Sequence, residues 1–178
     1  MSRERLGTDS GHRPATAEVL RFAMRGTASS VCAVTTVLSD GSWRGATVNT
    51  LISVSLNPPS VLVSLDSASR MHAAVLSTRR FGVTVFAMRH RAIAASFADP
   101  TKHDERFAVG NWLAGDDGLP ALADAVANLS CKTADTFVFG DHTVFVGGVE
   151  RVSSDQAQEP LVYHDGRYGR WIPGIPEN

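Results

Sequence analysis

The chain has 178 residues, 43% of them apolar and 20% charged, with a formal net charge of −1. That length can bury a sizeable core in one domain, and the composition is ordinary for a soluble globular protein. No basic stripe suggests nucleic acid as a partner, and no apolar run approaches the roughly 20 residues that span a membrane.

Residues 1–14 are polar, with Gly7 and Gly11, and read as a flexible N-terminal arm without the apolar core of a signal peptide. Residues 15–178 read as the folded unit. Ala15 to Arg25 has helical spacing, with Val19, Phe22 and Ala23 beside Leu20 and Met24 on an apolar face and Thr16 placed to cap it. Gly26-Thr27 ends that helix. Val31 to Leu38 and Trp43 to Val48 read as two strands around the turn Ser39-Asp40-Gly41-Ser42. Leu51 to Ser55 alternates, Asn57-Pro58-Pro59 turns the chain, and Val61 to Leu65 is a short buried run.

Ser69 to Leu76 and His90 to Ala98 read as short helices, and Arg80 to Ala87 between them as a strand. Residues 100–120 are irregular and polar, with a helical turn near Glu105-Arg106-Phe107. Ala127 to Phe139 and His142 to Val152 are long strands around Gly140-Asp141, and Leu161-Val162-Tyr163 is a last short strand before the turn Asp165-Gly166. The repeated strand–helix alternation of a parallel sheet is missing. The expected class is mainly β, an antiparallel barrel with short flanking helices. Cys32 and Cys131 lie in apolar strand patterns and read as reduced core residues of a cytoplasmic protein. Phe81, Phe86 and Phe97 read as core.

Two stretches carry the chemistry. Thr47-Val48-Asn49-Thr50 ends one strand in hydroxyl and amide groups. Ser64-Leu65-Asp66-Ser67, with Ser69 and Arg70, ends another and opens a helix. Such loops can hold a phosphate and a polar heterocycle with few full charges. They also suit plain turns, and Asp66 or Ser67 suits a helix cap. The glycine-rich dinucleotide and P-loop fingerprints are missing, as is a nucleophile elbow. The six histidines show no ligand spacing, so no metal site is expected.

In the order and spacing of these segments the chain resembles the flavin reductase family with the FMN-binding split barrel. The carriers run from Val31-Cys32-Ala33-Val34-Thr35-Thr36 through Gly45 to Thr50, Ser53 to Pro59, Val61 to Leu65, Ser67 to Arg70 and Arg80-Phe81-Gly82-Val83. They end in Gly140-Asp141-His142 and Leu161 to His164 with Gly166-Arg167-Tyr168. The resemblance implies an antiparallel Greek-key split β-barrel, and a homodimer with flavin in a groove near the subunit interface. It implies hydride transfer from NADH or NADPH to FMN or FAD, and a separate flavin-dependent monooxygenase that receives the reduced flavin. It places flavin phosphate on Thr47, Val48, Asn49, Thr50 and on Ser64, Leu65, Asp66, Ser67, Ser69, Arg70. It places His142 near flavin and nicotinamide as the catalytic residue, and Tyr163, Arg167 and Tyr168 toward the nicotinamide nucleotide. The chain departs from the family at Asp66, an acidic residue beside the expected phosphate, with Arg70 able to offset it. A flavin-binding carrier or sensor, and a split-barrel flavoenzyme that reduces another acceptor, are the alternatives.

Overall fold

A computed structural model describes residues 14–103, 105–172 and 174. The expected arm over residues 1–14 lies outside them except for Pro14. α1 (Ala17–Arg25) begins where expected: the Thr16 hydroxyl accepts the Val19 N–H at 3.2 Å, and Gly26 follows its last residue. Its apolar residues meet no core, however, and Phe22 is 78% exposed with Leu20 and Met24 beside it. Helical spacing decides which side chains share a face, not what covers that face.

The strands that follow are β1 (Ser29–Ser30), β2 (Cys32–Val37), β3 (Trp43–Val48), β4 (Ile52–Leu56) and β5 (Pro59–Asp66). After α2 (Arg70–Thr78) come β6 (Arg80–Val85), a 3₁₀ turn (Met88–His90) and α3 (Arg91–Ala98). Then come a second 3₁₀ turn (Arg106–Ala108), β7 (Trp112–Ala114), β8 (Pro120–Leu122), β9 (Ala127–Phe139), β10 (His142–Ser154), β11 (Leu161–His164) and β12 (Arg167–Arg170).

Among the described residues seven strands form one sheet in the order β3-β2-β6-β9-β10-β5-β4. Every ladder in it is antiparallel. The hairpins β2–β3, β4–β5 and β9–β10 are local, and the long connections through α2 and α3 bring them side by side, as a Greek-key barrel requires. β3 and β4 are not paired, so the barrel is split between them.

β2 is buried on both faces, and its apolar run is broken only by the enclosed Thr35 and Thr36. Cys32 and Val34 face the barrel interior with Val63, Phe81, Val83 and Phe145, joined by Met71 and Val75 of α2. Val31 and Ala33 face the other way into a second cluster with Phe86, Ile93, Phe97, Trp112 and Leu161. The phenylalanines expected in the core are there, with Phe81 and Phe86 wholly enclosed. Cys32 and Cys131 are unpaired and buried, and burial pushes both thiols up to about 12.

The turns follow local chemistry. In the β2–β3 hairpin the Asp40 carboxylate accepts the Ser42 N–H at 2.8 Å and its hydroxyl at 2.6 Å. Asp165 and Gly166 hold φ of 48° and 76° between β11 and β12, the left-handed pair that an Asp-Gly hairpin supplies. The end of the stretch expected to be irregular instead pairs, β7 with β8, as a small hairpin.

His90 gives the fold a titratable joint. It is 4% exposed, and its Nδ1 accepts the Ala87 N–H at 3.1 Å. Nε2 lies 3.2 Å from Asp124 Oδ1 but is not aligned for a hydrogen bond. Burial holds the imidazole below its ordinary pKa, and Asp124 opposes this only in part. Between the unfolded value of about 6.5 and the lower folded value, the unfolded chain binds more protons. This contribution to stability is therefore complete above about pH 6.5 and is lost as pH falls below it. Urea midpoints measured from pH 7.5 to 5.5 should decline for the wild type and flatten for His90→Gln. Identical profiles would assign the decline to another group.

Candidate functional site

The two chemically marked loops meet at the split of the barrel. The Thr50 hydroxyl accepts the Ser64 N–H at 3.1 Å and donates to the Ser64 carbonyl at 3.2 Å. It replaces the strand pairing that the β3–β4 corner lacks. The Thr47 hydroxyl donates to the Ala94 carbonyl of α3 at 2.7 Å. Both threonines thus hold elements in place with the protons they were expected to offer a ligand.

The second loop is also largely self-supporting. Ser69, rather than Asp66 or Ser67, caps α2: its hydroxyl accepts the His72 N–H at 3.1 Å. Asp66 accepts the Ala68 N–H at 2.8 Å, so its carboxylate closes a turn. Ser67 shares a 3.1 Å hydrogen bond with the Thr143 hydroxyl, and its N–H donates to the Asp141 carbonyl at 2.9 Å. His72 Nε2 reaches the same Thr143 hydroxyl at 3.0 Å. The Leu65 side chain belongs to the barrel core.

Two cavities adjoin at Thr47 and Ala98. The first, of about 220 Å³, lies between β3, the start of α2 and the end of α3, and Arg44, Ser69, Arg70 and Arg106 line it. The second, of about 240 Å³, is bounded by Val48, Asn49, Tyr163 and Tyr168. The two tyrosine rings meet edge to face at 5.5 Å across the β11–β12 hairpin. Burial, and then the neighbouring Tyr163, holds the Tyr168 phenol above its ordinary pKa, so it stays a neutral hydroxyl. Of the expected cofactor residues, these cavities gather Thr47, Val48, Asn49, Ser69, Arg70, Tyr163 and Tyr168. Thr50, Ser64, Leu65, Asp66, Ser67 and Arg167 do not line them. Asp66, the acidic departure, thus stays out of the cationic cavity.

Arg106 and Arg44 were not expected from the sequence. Arg106 is only 6% exposed, and its guanidinium donates to the Gly45 carbonyl and, at 2.7 Å, to the Asp99 carbonyl. Its Nε is buried without an acceptor. Burial, with the positive charge of Arg70 adding to it, lowers its pKa, and Asp99 opposes this. A Cβ on Gly45 would fall 2.6 Å from the Phe97 ring, so only glycine lets β3 pass this closely beneath α3. Trp43, Phe97, Phe107 and Trp112 pack around that crossing, with Phe97 and Trp112 stacked at 5.0 Å.

His142 does not line either cavity. It is the first residue of β10, opposite Asp66 of β5, and its side chain is 48% exposed. Nδ1 lies 2.8 Å from the Asp141 carboxylate, which fixes the ring and holds the Asp141 carboxyl below its usual range. A further hollow of about 290 Å³ contains Asp116, Asp117 and Arg151. Its charges are paired, Arg151 with Asp116 at 3.2 Å and Arg80 with Asp117 at 3.3 Å. Among the described residues no group of three His, Cys, Asp or Glu side chains can hold a metal ion.

Residues 24–171 match the family described as a flavin reductase-like domain. The chain is 34% identical over 171 residues to "FMN reductase (NADH) RutF 1" of Methylorubrum extorquens, covering 96% of this chain and 84% of that protein. It is 32% identical to the reductase component of the FADH(2)-dependent resorcinol hydroxylase of Rhizobium sp., over 83% of this chain and 80% of that one. Among solved structures, the NADH:FAD oxidoreductase SgcE6 of Streptomyces globisporus C-1027 superposes with a TM-score of 0.84 at 32% identity. That match covers 90% of this chain and 96% of the other.

The Thr50–Ser64 contact makes a direct prediction. Thr50→Val removes a hydroxyl and leaves the Ser64 amide and carbonyl without their partner, which should cost about 1–3 kcal/mol. Urea denaturation of both proteins measures it. An unchanged midpoint would show that other contacts hold the corner.

Proposed function

Because this chain belongs to the family of flavin reductase-like domains, we propose that it is an NADH-dependent flavin reductase that passes reduced FMN or FAD to a separate flavin-dependent monooxygenase. It is an oxidoreductase, in keeping with relatives named for NADH-dependent reduction of FMN or FAD. The observation that carries the reading is the arginine-lined cavity joined through Thr47 and Ala98 to one walled by two tyrosines. A flavin nucleotide has the same division, an anionic tail and a flat, weakly polar ring.

The residues present fit such a ligand. Arg70 and Arg106 repel one another across the first cavity, and a phosphate group would relieve this. Ser69 and the opening N–H groups of α2 add an anion-favouring helix end. Ser69 already accepts from His72, so its own hydroxyl hydrogen remains for an oxygen of the ligand. Thr47 has committed its proton to Ala94 and can only accept. The side chains of Val48, Tyr163 and Tyr168 offer contact area around a ring, and Asn49 adds polar amide groups at the same wall.

When bound, the flavin supplies the electron chemistry, so the protein needs no nucleophile of its own. Its task is to hold two flat reactants in a near-attack arrangement and to leave one face accessible to the visiting nucleotide. We place His142 at the rim, where it meets the nicotinamide nucleotide. In support, it faces Asp66 at the base of the loop that leads to Ser69 and Arg70, and Asp141 orients its ring. Nδ1 donates to the Asp141 carboxylate, which leaves Nε2 for the ligand.

We also propose that the working form is a cytoplasmic homodimer. The support is apolar surface that a second copy would cover: Ile52 and Leu56 on edge strand β4, and Phe137 and Phe139 on the β9–β10 hairpin, with Leu56 87% and Phe139 84% exposed. Sedimentation at micromolar concentration should give twice the 19.0 kDa chain mass, and a monomer there would refute the dimer.

Purified protein should oxidise NADH at a rate that rises with added FMN or FAD. Yellow protein without NADH oxidation would favour a carrier or sensor, and turnover only with another acceptor would favour a different flavoenzyme. His142→Ala should lower kcat/KM for NADH roughly tenfold or more while flavin affinity holds. Unchanged kinetics would remove His142 from the site.

A further inference from the structure

Resting on the flavin reductase reading above, we propose that Arg106 is a further phosphate-binding residue of the site, and that the phosphate it takes clasps the Arg106–Ala108 turn onto β3. Three observations carry this. Arg106 is buried to 94%, the complement of its 6% exposure, yet both acceptors it contacts are uncharged carbonyls, Gly45 and Asp99. Its Nε is enclosed and unpartnered. It lines the same cavity as Arg44 and Arg70. Among the described residues no carboxylate forms an ion pair with it; the Asp99 carboxylate offsets its burial only in part and is itself held by the Thr101 N–H at 2.8 Å and hydroxyl at 2.7 Å.

A buried cation in such a setting is costly unless a counter-charge joins it. A phosphate monoester brings a charge of about −1.5 to −2 at neutral pH and three strong acceptor oxygens. The guanidinium fork carries more donors than two carbonyls use, and its plane suits phosphate oxygens. Arg44, whose guanidinium also donates to the Trp43 carbonyl at 2.9 Å, and Arg70 share the cavity.

The clasp follows from where the two carbonyls lie. Gly45 belongs to β3, and Asp99 follows the last residue of α3. Beside Arg106, Phe107 packs edge-on against Trp43 at 5.3 Å and Phe97 at 5.1 Å. Arg106 is therefore the charged pin of the turn's seat. A ligand that cancels its charge favours the seated state over an opened one, and by linkage the seated state binds that ligand more tightly.

The same phosphoryl chemistry occurs in the flavin tail and in the diphosphate of the nicotinamide nucleotide. We assign it to the flavin, because Ser69 and Arg70 of the second loop and Thr47 of the first converge on this cavity. FMN and riboflavin differ only by the phosphate, so their comparison isolates it. Wild type, Arg106→Gln and Arg44→Gln are titrated with each flavin by fluorescence, and amide hydrogen exchange is followed over the Arg106–Ala108 turn. Wild type should bind FMN at least roughly tenfold tighter than riboflavin. Arg106→Gln should lose roughly ten- to a hundredfold for FMN, Arg44→Gln should lose less, and for riboflavin the loss should be far smaller with either change. FMN should slow exchange over that turn in wild type, and riboflavin should not.

Equal wild-type affinity for the two flavins overturns the proposal. So does an Arg106→Gln variant that keeps its FMN affinity, or one that changes only the KM for NADH. If Arg106→Gln fails to fold, the wild-type exchange comparison decides, and equal protection by both flavins overturns the clasp. Binding of neither flavin would overturn the assigned function and this proposal together, whereas binding of both alike overturns this proposal alone.

Discussion

The hydroxyl of Thr50, shared between the amide and carbonyl of Ser64, is the constraint from which the site follows. A seven-stranded sheet has two edges, and here β3 and β4 are those edges and also consecutive strands. The three residues between them must turn the chain across the split without ladder hydrogen bonds. A side chain that donates and accepts at once supplies the missing pair. It sets the end of β3 against the end of β5, and so places Thr47 to Asn49 near the segment that leads to Ser69 and Arg70.

Around that corner the chain spends its polar side chains on itself. Thr47 holds α3, Ser67 holds β10, Asp66 closes a turn and Ser69 caps α2. Groups with committed hydrogen bonds present their remaining lone pairs or hydrogens in fixed directions. Preorganisation of this kind lowers the ordering cost of binding and suits a ligand that arrives and departs repeatedly.

Most of the architecture was legible because it is local. The hairpins at Asp40-Gly41, Gly140-Asp141 and Asp165-Gly166 and the Thr16 cap all follow from short-range pattern. What escaped depends on distant partners. Arg106 lies in an irregular polar stretch without a period, and its burial is decided by Gly45, 61 residues away. The adjoining Phe107 was a cue, a large aromatic side chain directly after a polar run. The cap of α2 moved from Asp66 or Ser67 to Ser69 because Asp66 had a turn amide nearer at hand. The apolar face of α1 was legible as a face, but its exposure was not, since amphipathic spacing is the same whether the cover is the chain's own body or something else. The β7–β8 hairpin went unseen because three-residue strands are too short to show alternation.

One consequence concerns oxidative damage. Dihydroflavin set free in air reacts with dioxygen and yields hydrogen peroxide, which attacks thiolate sulfur. Both cysteines of this chain are enclosed, and with thiols at about 12 they carry almost no thiolate at neutral pH. Enclosure and the scarcity of thiolate both disfavour sulfenic acid formation and mixed disulfides at these sulfur atoms, even beside an oxidant that reduced flavin generates.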